Sequence, residues 1–312
     1  MKPIALVAAL AFLMAGCGPG EENRDFKPVL VFGMEGSLRG WFNQPQDVAA
    51  DSSDNLYVAD YANHRVQKFD RNGKFLETWG RFGSGPGEFS YPKCLEIAPD
   101  DRIFVGDQNN SRIQVFDPKG NLLIVWGGRG SAPGRFRDTL DIAVGPDRNV
   151  YVADTHNARI QVFTANGGFL RSFGRGGQGQ GEFDGPFGIA ISRDGVVHVS
   201  DTFNHRIQCF TPEGVWLRMW GGEGERPGQL KFPQKMAIDP DGRVWVADSY
   251  NNRIQCFTTE GHLERVIGRM GDTPGSFNTP FGVSVGTGGR LLVADTWNHR
   301  VQVFRIGKGV VP

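Results

Sequence analysis

The stretch Val58-Ala59-Asp60-Tyr61-Ala62-Asn63-His64-Arg65-Val66-Gln67-Lys68-Phe69 decides the reading of this chain, because it returns five more times. Its aspartate falls at Asp60, Asp107, Asp154, Asp201, Asp248 and Asp295, each 47 residues after the one before. Its arginine (Arg65, Arg112, Arg159, Arg206, Arg253, Arg300) and its asparagine (Asn63, Asn110, Asn157, Asn204, Asn251, Asn298) keep the same step. Self-similarity at a fixed period of this length marks stacked units that cannot bury their apolar faces alone. Within a copy the signals are those of strands. Asn149-Val150-Tyr151-Val152-Ala153 and Arg159-Ile160-Gln161-Val162-Phe163 are rich in β-branched and aromatic residues, and turns such as Pro240-Asp241-Gly242 and Pro212-Glu213-Gly214 separate such runs. Helical periodicity is absent. Four short strands fit into each period, so the expected fold is all-β: a six-bladed β-propeller with four-stranded antiparallel blades.

Closure of the ring is also legible. A glycine ends the fourth strand at Gly80, Gly127, Gly174, Gly221 and Gly268, whereas the sixth copy stops after Phe304-Arg305-Ile306 without a fourth strand. Upstream, Val29-Leu30-Val31-Phe32-Gly33 stands in register, with Gly33 one period before Gly80. The N-terminal strand is therefore expected to complete the last blade and cover an edge that would otherwise be open.

The pattern Val-x-Asp-x-x-Asn-x-Arg-Ile/Val-Gln-x-Phe resembles the NHL repeat, over residues 28–306. The resemblance implies a six-bladed propeller used mostly as a binding platform; some relatives are metal-dependent lyases and some intracellular ones bind RNA. A residue present in every blade cannot easily mark a single site, so the Asp, Arg and Gln of the repeat are read as structural: the carboxylate and guanidinium pair across a turn. Trp79, Trp126 and Trp220, with Phe173 and Ile267 in the same slot, are read as core.

Function is expected where the blades differ. Short hairpins such as Arg71-Asn72-Gly73 and Arg193-Asp194-Gly195 belong to one face; the Asp-x-x-Asn turn and the long glycine-rich loop, as in 174–181, belong to the other. Long loops on a rigid scaffold are where binding residues gather. Two variable groups appear on that loop-rich side. The slot two residues after the repeat aspartate holds Phe203, Tyr250 and Trp297 in blades four to six, with Phe187 and Phe281 at the starts of inner strands. Such rings could stack on a sugar, a peptide or a partner protein, or simply pack over neighbouring glycine loops. The second group faces the central channel. The slot of Asp47 holds Cys94, Asp141, Gly188, Lys235 and Gly282 in the other blades, Lys93 adjoins Cys94, and Glu96 replaces the Ala or Ser found elsewhere two residues on. Asp47, Asp141 and Lys235 come from alternate blades and should point at one another. They form either a ligand or cation site or, more simply, a salt network plugging the channel.

The leading expectation is a non-catalytic binding or scaffold propeller. The alternative is a metal-dependent lyase or a lactonase-like hydrolase centred on the channel. No cofactor is expected; calcium or another divalent ion held by Asp47, Asp141 and Glu96 is the weaker option, opposed by the charge of Lys235. No histidine falls on an inner strand, which argues against a three-histidine zinc site. The charge balance of 34 basic and 34 acidic residues argues against nucleic acid as a partner. Residues 1–16 read as a signal peptide, with Lys2 before the apolar run from Ile4 to Ala15. Leu13-Met14-Ala15-Gly16-Cys17 resembles a bacterial lipobox, which implies acylation of Cys17, a tether over 17–27 and a propeller over 28–312. The expected setting is the cell envelope, on the periplasmic or extracellular side and at the outer membrane in a Gram-negative host. The expected partner of this monomer is an envelope protein or glycan, and it would meet the membrane through the anchor alone. Cys94, Cys209 and Cys256 are read as buried thiols outside any disulfide framework.

Overall fold

The computed structural model describes residues 26–307; the signal segment, Cys17 and nearly all of the tether lie outside them. Each copy of the repeat folds as four antiparallel strands in simple meander order. In blade one these are Pro45–Ala50, Leu56–Asp60, Arg65–Phe69 and Phe75–Trp79. Blades two to five follow over 92–127, 139–173, 186–221 and 233–267. Blade six consists of Pro280–Gly286, Arg290–Asp295 and Arg300–Arg305, and its fourth strand is Leu30–Phe32 from the N-terminal side. Leu30, Val31 and Phe32 pair with Val303, Gln302 and Val301, as the register of Gly33 required. The first strands of the six blades touch in a closed cycle and line the channel.

Burial follows from strand alternation and blade stacking. Both faces of the second and third strands are covered, so Val150–Asp154 is buried at every position, while the outermost strand alternates or lies largely open, as in Leu122–Gly127. Apolar side chains from adjacent blades form six clusters, one per junction. One joins Phe104, Ile113 and Val115 of blade two to Ile142, Val152 and Phe163 of blade three. The Trp slot belongs to this packing: Trp126 lies 5.7 Å from Phe163 of the next blade, and Trp220 lies 4.6 Å from Phe257. Among the described residues, Cys94, Cys209 and Cys256 are buried and form no disulfide.

The Asp-x-x-Asn stretch forms a single 3-10 turn in five of the blades, closed by a residue in the left-handed region such as His64 (φ 55°). The repeat residues explain the shape of this corner. Asp60 is fully buried; its Oδ2 meets Arg65 Nε at 2.7 Å and its Oδ1 accepts the backbone N–H of Asn43. Asn63 donates to the carbonyl of Gly36, and Gln67 both accepts from Gly40 N and donates to Trp41 O. The acid thus holds the turn, while Asn and Gln hold the glycine-rich loop arriving from the preceding blade. The same 2.7 Å ion pair recurs in all six blades.

Candidate functional site

The inner strands carry a register shift near their start in every blade, between Pro45 and Asp47, between Thr139 and Ile142, and equivalently elsewhere. Such shifts leave backbone donors without a ladder partner and re-aim side chains. Here they serve the channel carboxylates. Asp47 accepts from Val48 N and from Leu95 N of the next blade, and Asp141 accepts from Ile189 N of the next blade. Lys235 reaches across the channel from blade five. Its Nζ contacts Asp47 Oδ2, donates to Leu95 O at 2.8 Å and stands 3.3 Å from Asp141 Oδ1. That last oxygen has the ammonium as a counter-charge but no aligned hydrogen bond.

Two glycines in the same slot make room for these groups. A Cβ on Gly188 would stand 2.4 Å from Gln234 O and 2.9 Å from Lys235 Cα, and one on Gly282 would stand 2.7 Å from Asp47 Cα and Oδ1. The blade beside each long polar side chain is therefore trimmed to backbone. Sequence reasoning recorded Gly188 and Gly282 without a role; their adjacency to Lys235 and Asp47 was the signal.

Electrostatics follow from burial. Desolvation alone would lower the Lys235 ammonium, but Asp141, Asp47 and Glu96 together raise it well above its ordinary value. Burial pushes Asp141 up to about 6, with Lys235 opposing the rise. Asp47 is also raised by burial, against the pull of Lys235 and the two N–H donors. Glu96, one side chain further along the channel, accepts from Val144 N and is pushed by burial up to about 7. Lys93 donates to Gln46 Oε1 at 2.7 Å and lies 4.3 Å from the ring of Phe281; burial lowers it to about 8. Cys94 fills its channel slot because Gly106 stands opposite, where a Cβ would meet its Sγ at 2.4 Å, and burial raises that thiol strongly.

The ion cluster divides the channel. Towards the loop-rich face only about 20 Å³ remains, bounded by Gln46, Lys93, Phe187 and Phe281, which is room for a single water. Towards the hairpin face lies a chamber of about 200 Å³, lined by aliphatic residues with Glu96, Ser284 and Lys235. Lys235 Nζ occupies the point between Asp47 and Asp141 where a cation would sit. Among the described residues no group of three or more His, Cys, Asp or Glu is disposed to hold a metal ion.

The aromatic group is distributed differently from the expected succession. Phe203 and Tyr250 are 49% and 57% exposed, and Phe232, absent from the sequence-based set, links them. The centroid of Phe232 lies 5.9 Å from that of Phe203 and 4.7 Å from that of Tyr250. Phe187 extends the row, 5.9 Å from Phe203. Trp297 is half exposed but makes no ring contact among the described residues, and Phe281 packs with Lys93 instead. Phe232 was missed because it occupies the residue before an inner-strand proline (Thr139 in blade three), a slot that holds Gln44, Tyr91, Asp138, Gly185 or Thr279 elsewhere and carries no motif.

His64, His205 and His299 do not face the channel. Each accepts, through Nδ1, a backbone N–H of the next blade: Tyr91, Phe232 and Gln44 respectively. They are junction latches. His198 replaces a core aromatic; burial lowers it to about 4, and its Nδ1 lies 3.3 Å from Cys209 Sγ.

Comparison with known proteins agrees with this architecture. The NHL repeat family matches at residues 42–69, 89–116, 136–163, 230–257 and 277–304. A 68-residue segment is 44% identical to peptidyl-glycine alpha-amidating monooxygenase A of Xenopus laevis, covering 20% of this chain and only 7% of that protein. Among solved structures, a gluconolactonase of Xanthomonas campestris superposes with TM-score 0.64 at 14% identity, over 84% of this chain and 86% of its own. Virginiamycin B lyase of Staphylococcus aureus superposes with TM-score 0.60 at 17% identity, over 87% of each. At those identities the likeness concerns the fold. The copy at 183–210 keeps the same strands and the same Asp201–Arg206 pair as the five matched stretches. The chain thus carries NHL repeats closed into a six-bladed β-propeller.

Proposed function

We propose that this propeller is a binding platform that presents its loop-rich face to an envelope protein or glycan. The observation that carries the reading is the row Phe187, Phe203, Phe232 and Tyr250 on a rigid corner of the loop-rich face, with Phe203 and Tyr250 exposed and Phe187 and Phe232 half-buried between and beside them. Exposed aromatic groups on a fixed scaffold make strong contact points because little side-chain freedom is lost on binding. In this reading the chain is exported, acylated at Cys17 and held at the envelope as a monomer, so that the tether leaves the face free. Binding should collapse when Phe203, Phe232 and Tyr250 are all changed to Ala. Site-specific photocrosslinking from position 178 in envelope preparations, with and without those changes, checks it; equal crosslinking in both removes the aromatic row from the interface.

One observation favours a second reading, that of a lyase or lactonase-like hydrolase. Glu96 is a half-buried carboxyl whose pKa is pushed up to about 7, at the wall of a chamber of about 200 Å³, the condition a general acid or base needs. A divalent ion drawn to Asp47, Asp141 and Glu96 would have to displace Lys235. Elemental analysis of the purified full chain separates the readings: a stoichiometric metal lost in Asp141→Ala favours the enzyme, and a metal-free folded protein favours the platform.

A further inference from the structure

Three slots meet at each blade junction on the loop-rich face. The first closes the Asp-x-x-Asn turn, the second lies in the glycine-rich loop, and the third precedes the inner strand of the next blade. At junction one–two they hold His64, Phe82 and Tyr91, with the imidazole between the other two rings, 4.9 Å from Phe82 and 4.5 Å from Tyr91 at an interplanar angle of 69°. The imidazole Nδ1 accepts the N–H of Tyr91 at 3.1 Å. At junction four–five His205 repeats this geometry on Phe232, again at 4.5 Å and 69°, with its Nδ1 3.1 Å from Phe232 N. At junction five–six Asn252 Oδ1 takes the same N–H, from Thr279.

Junction three–four is stripped at all three slots, which read Ala158, Gly176 and Gly185. A cleft of about 430 Å³ opens there, with Phe203 along one side and His156, Gln178 and Asp184 at its rim. Gly185 is buried and has φ 64°, the same left-handed backbone as Tyr91 at 63°, so its N–H is presented as in the other blades. It finds no acceptor among the described residues. Buried backbone donors are seldom left in this state. At junction two–three the N–H of Asp138 likewise has no acceptor among the described residues, but the three slots there keep the side chains of Ser111, Arg129 and Asp138, so it is the combination of a free donor with an emptied junction that sets three–four apart.

We infer that this cleft is a socket for a histidine side chain of a partner polypeptide, which supplies the ring and the acceptor nitrogen that the repeat omits here. The inference rests on the platform reading and names one anchor within it. The guest imidazole takes the place of the missing side chain at position 158: its unprotonated nitrogen accepts from Gly185 N–H and its ring lies against Phe203. A protein donor rather than a free heterocycle is favoured by the rim, where the Gln178 amide and the Asp184 carboxylate can meet the peptide groups flanking the inserted residue. The cleft also continues the aromatic row, since Phe203 belongs to both.

The test follows the Gly185 amide by NMR in the full chain, with capped Gly-His-Gly and with 4-methylimidazole as probes. The expected result is a saturable shift at pH 8 that fades as the imidazole protonates, below about pH 7, because a charged ring has no acceptor. The peptide should bind more tightly than the free heterocycle. Ala158→His, which restores the resident imidazole, should move the Gly185 signal in the absence of probe and abolish the response to both; its melting curve checks that it is folded. An unmoved Gly185 signal in the wild type, or an Ala158→His protein that responds like wild type, overturns the socket. Free 4-methylimidazole binding as tightly as the peptide overturns the polypeptide source. The platform reading is judged separately: crosslinking that still depends on Phe203, Phe232 and Tyr250 would survive failure of the socket.

Discussion

The corner at each repeat aspartate and the cluster in the channel are both buried ion pairs, yet they are built on opposite plans. At the corner one carboxylate meets one guanidinium, and the remaining lone pairs are taken by an amide of Asn, an amide of Gln and a backbone N–H, as at Asp60. Charge is balanced and every acceptor is used, six times over. In the channel a single ammonium serves Asp47 and Asp141 with Glu96 nearby, and Asp141 Oδ1 has no aligned donor. The first plan suits a part that must be the same in every blade. The second has an excess of acid, and its consequences depend on pH.

The contrast can be broken most forcefully at Lys235, the cation in direct contact with the channel carboxylates. Lys235→Met leaves two buried carboxylates without a counter-charge, and we expect a loss of about 3–5 kcal/mol. With the ammonium gone both acids rise further, so the folded state holds protons more readily than the unfolded one and stability falls as pH rises. The deficit should be greatest near pH 8 and shrink as the pH drops below about 6, where Asp141 already titrates in the intact cluster. Denaturant melts at several pH values measure this; a deficit independent of pH would mean that the cluster does not depend on its lysine.

A smaller effect is expected at the corner. Asp154→Ala orphans Arg159, Asn157, Gln161 and the N–H of Arg137, and should cost roughly 2–4 kcal/mol. Because the six corners are alike, Asp60→Ala and Asp201→Ala should give the same loss within error. Unequal losses in matched melts would show that one corner does more than hold its loop.

The smallest change should be a gain. Glu96 has a raised folded pKa, so its ionisation opposes folding, with the penalty growing from about pH 4.5 and complete above about 7. Glu96→Gln keeps an oxygen for Val144 N and removes the charge. We expect stabilisation on the order of 1–2 kcal/mol at pH 8 that disappears towards pH 4. A destabilised variant at pH 8 would instead mark Glu96 as a stabilising anion of the cluster.

What could be read beforehand tracks this division. The 47-residue step of Asp60 and Arg65 fixed blade number, strand order and the closing role of Leu30–Phe32, because periodicity survives projection onto one dimension. The meeting of Asp47, Asp141 and Lys235 was legible for the same reason: equal slots on alternate blades face one axis. Contacts between unlike slots were not. That Phe232 bridges Phe203 and Tyr250, or that Ala158, Gly176 and Gly185 empty one junction together, depends on which loop folds over which turn. No single column of the repeat records that. The latches of His64, His205 and His299 were hidden similarly, since their acceptors serve a backbone N–H, which any sequence supplies.

The seam in blade six has a mechanical side. Every other blade is continuous in the chain, so the hoop can part without disturbing a blade's own hairpins only where Leu30–Phe32 lies against Val301–Val303. Three paired residues, the Val29 N–H on Val303 O, the packing of Leu30 and Phe32 on the cluster between blades six and one, and the stack of Phe26 on Phe304, at 5.5 Å, fasten it. Any tension carried by the segment before residue 26 arrives first at this fastening, which makes the buckle of the hoop also its strain gauge.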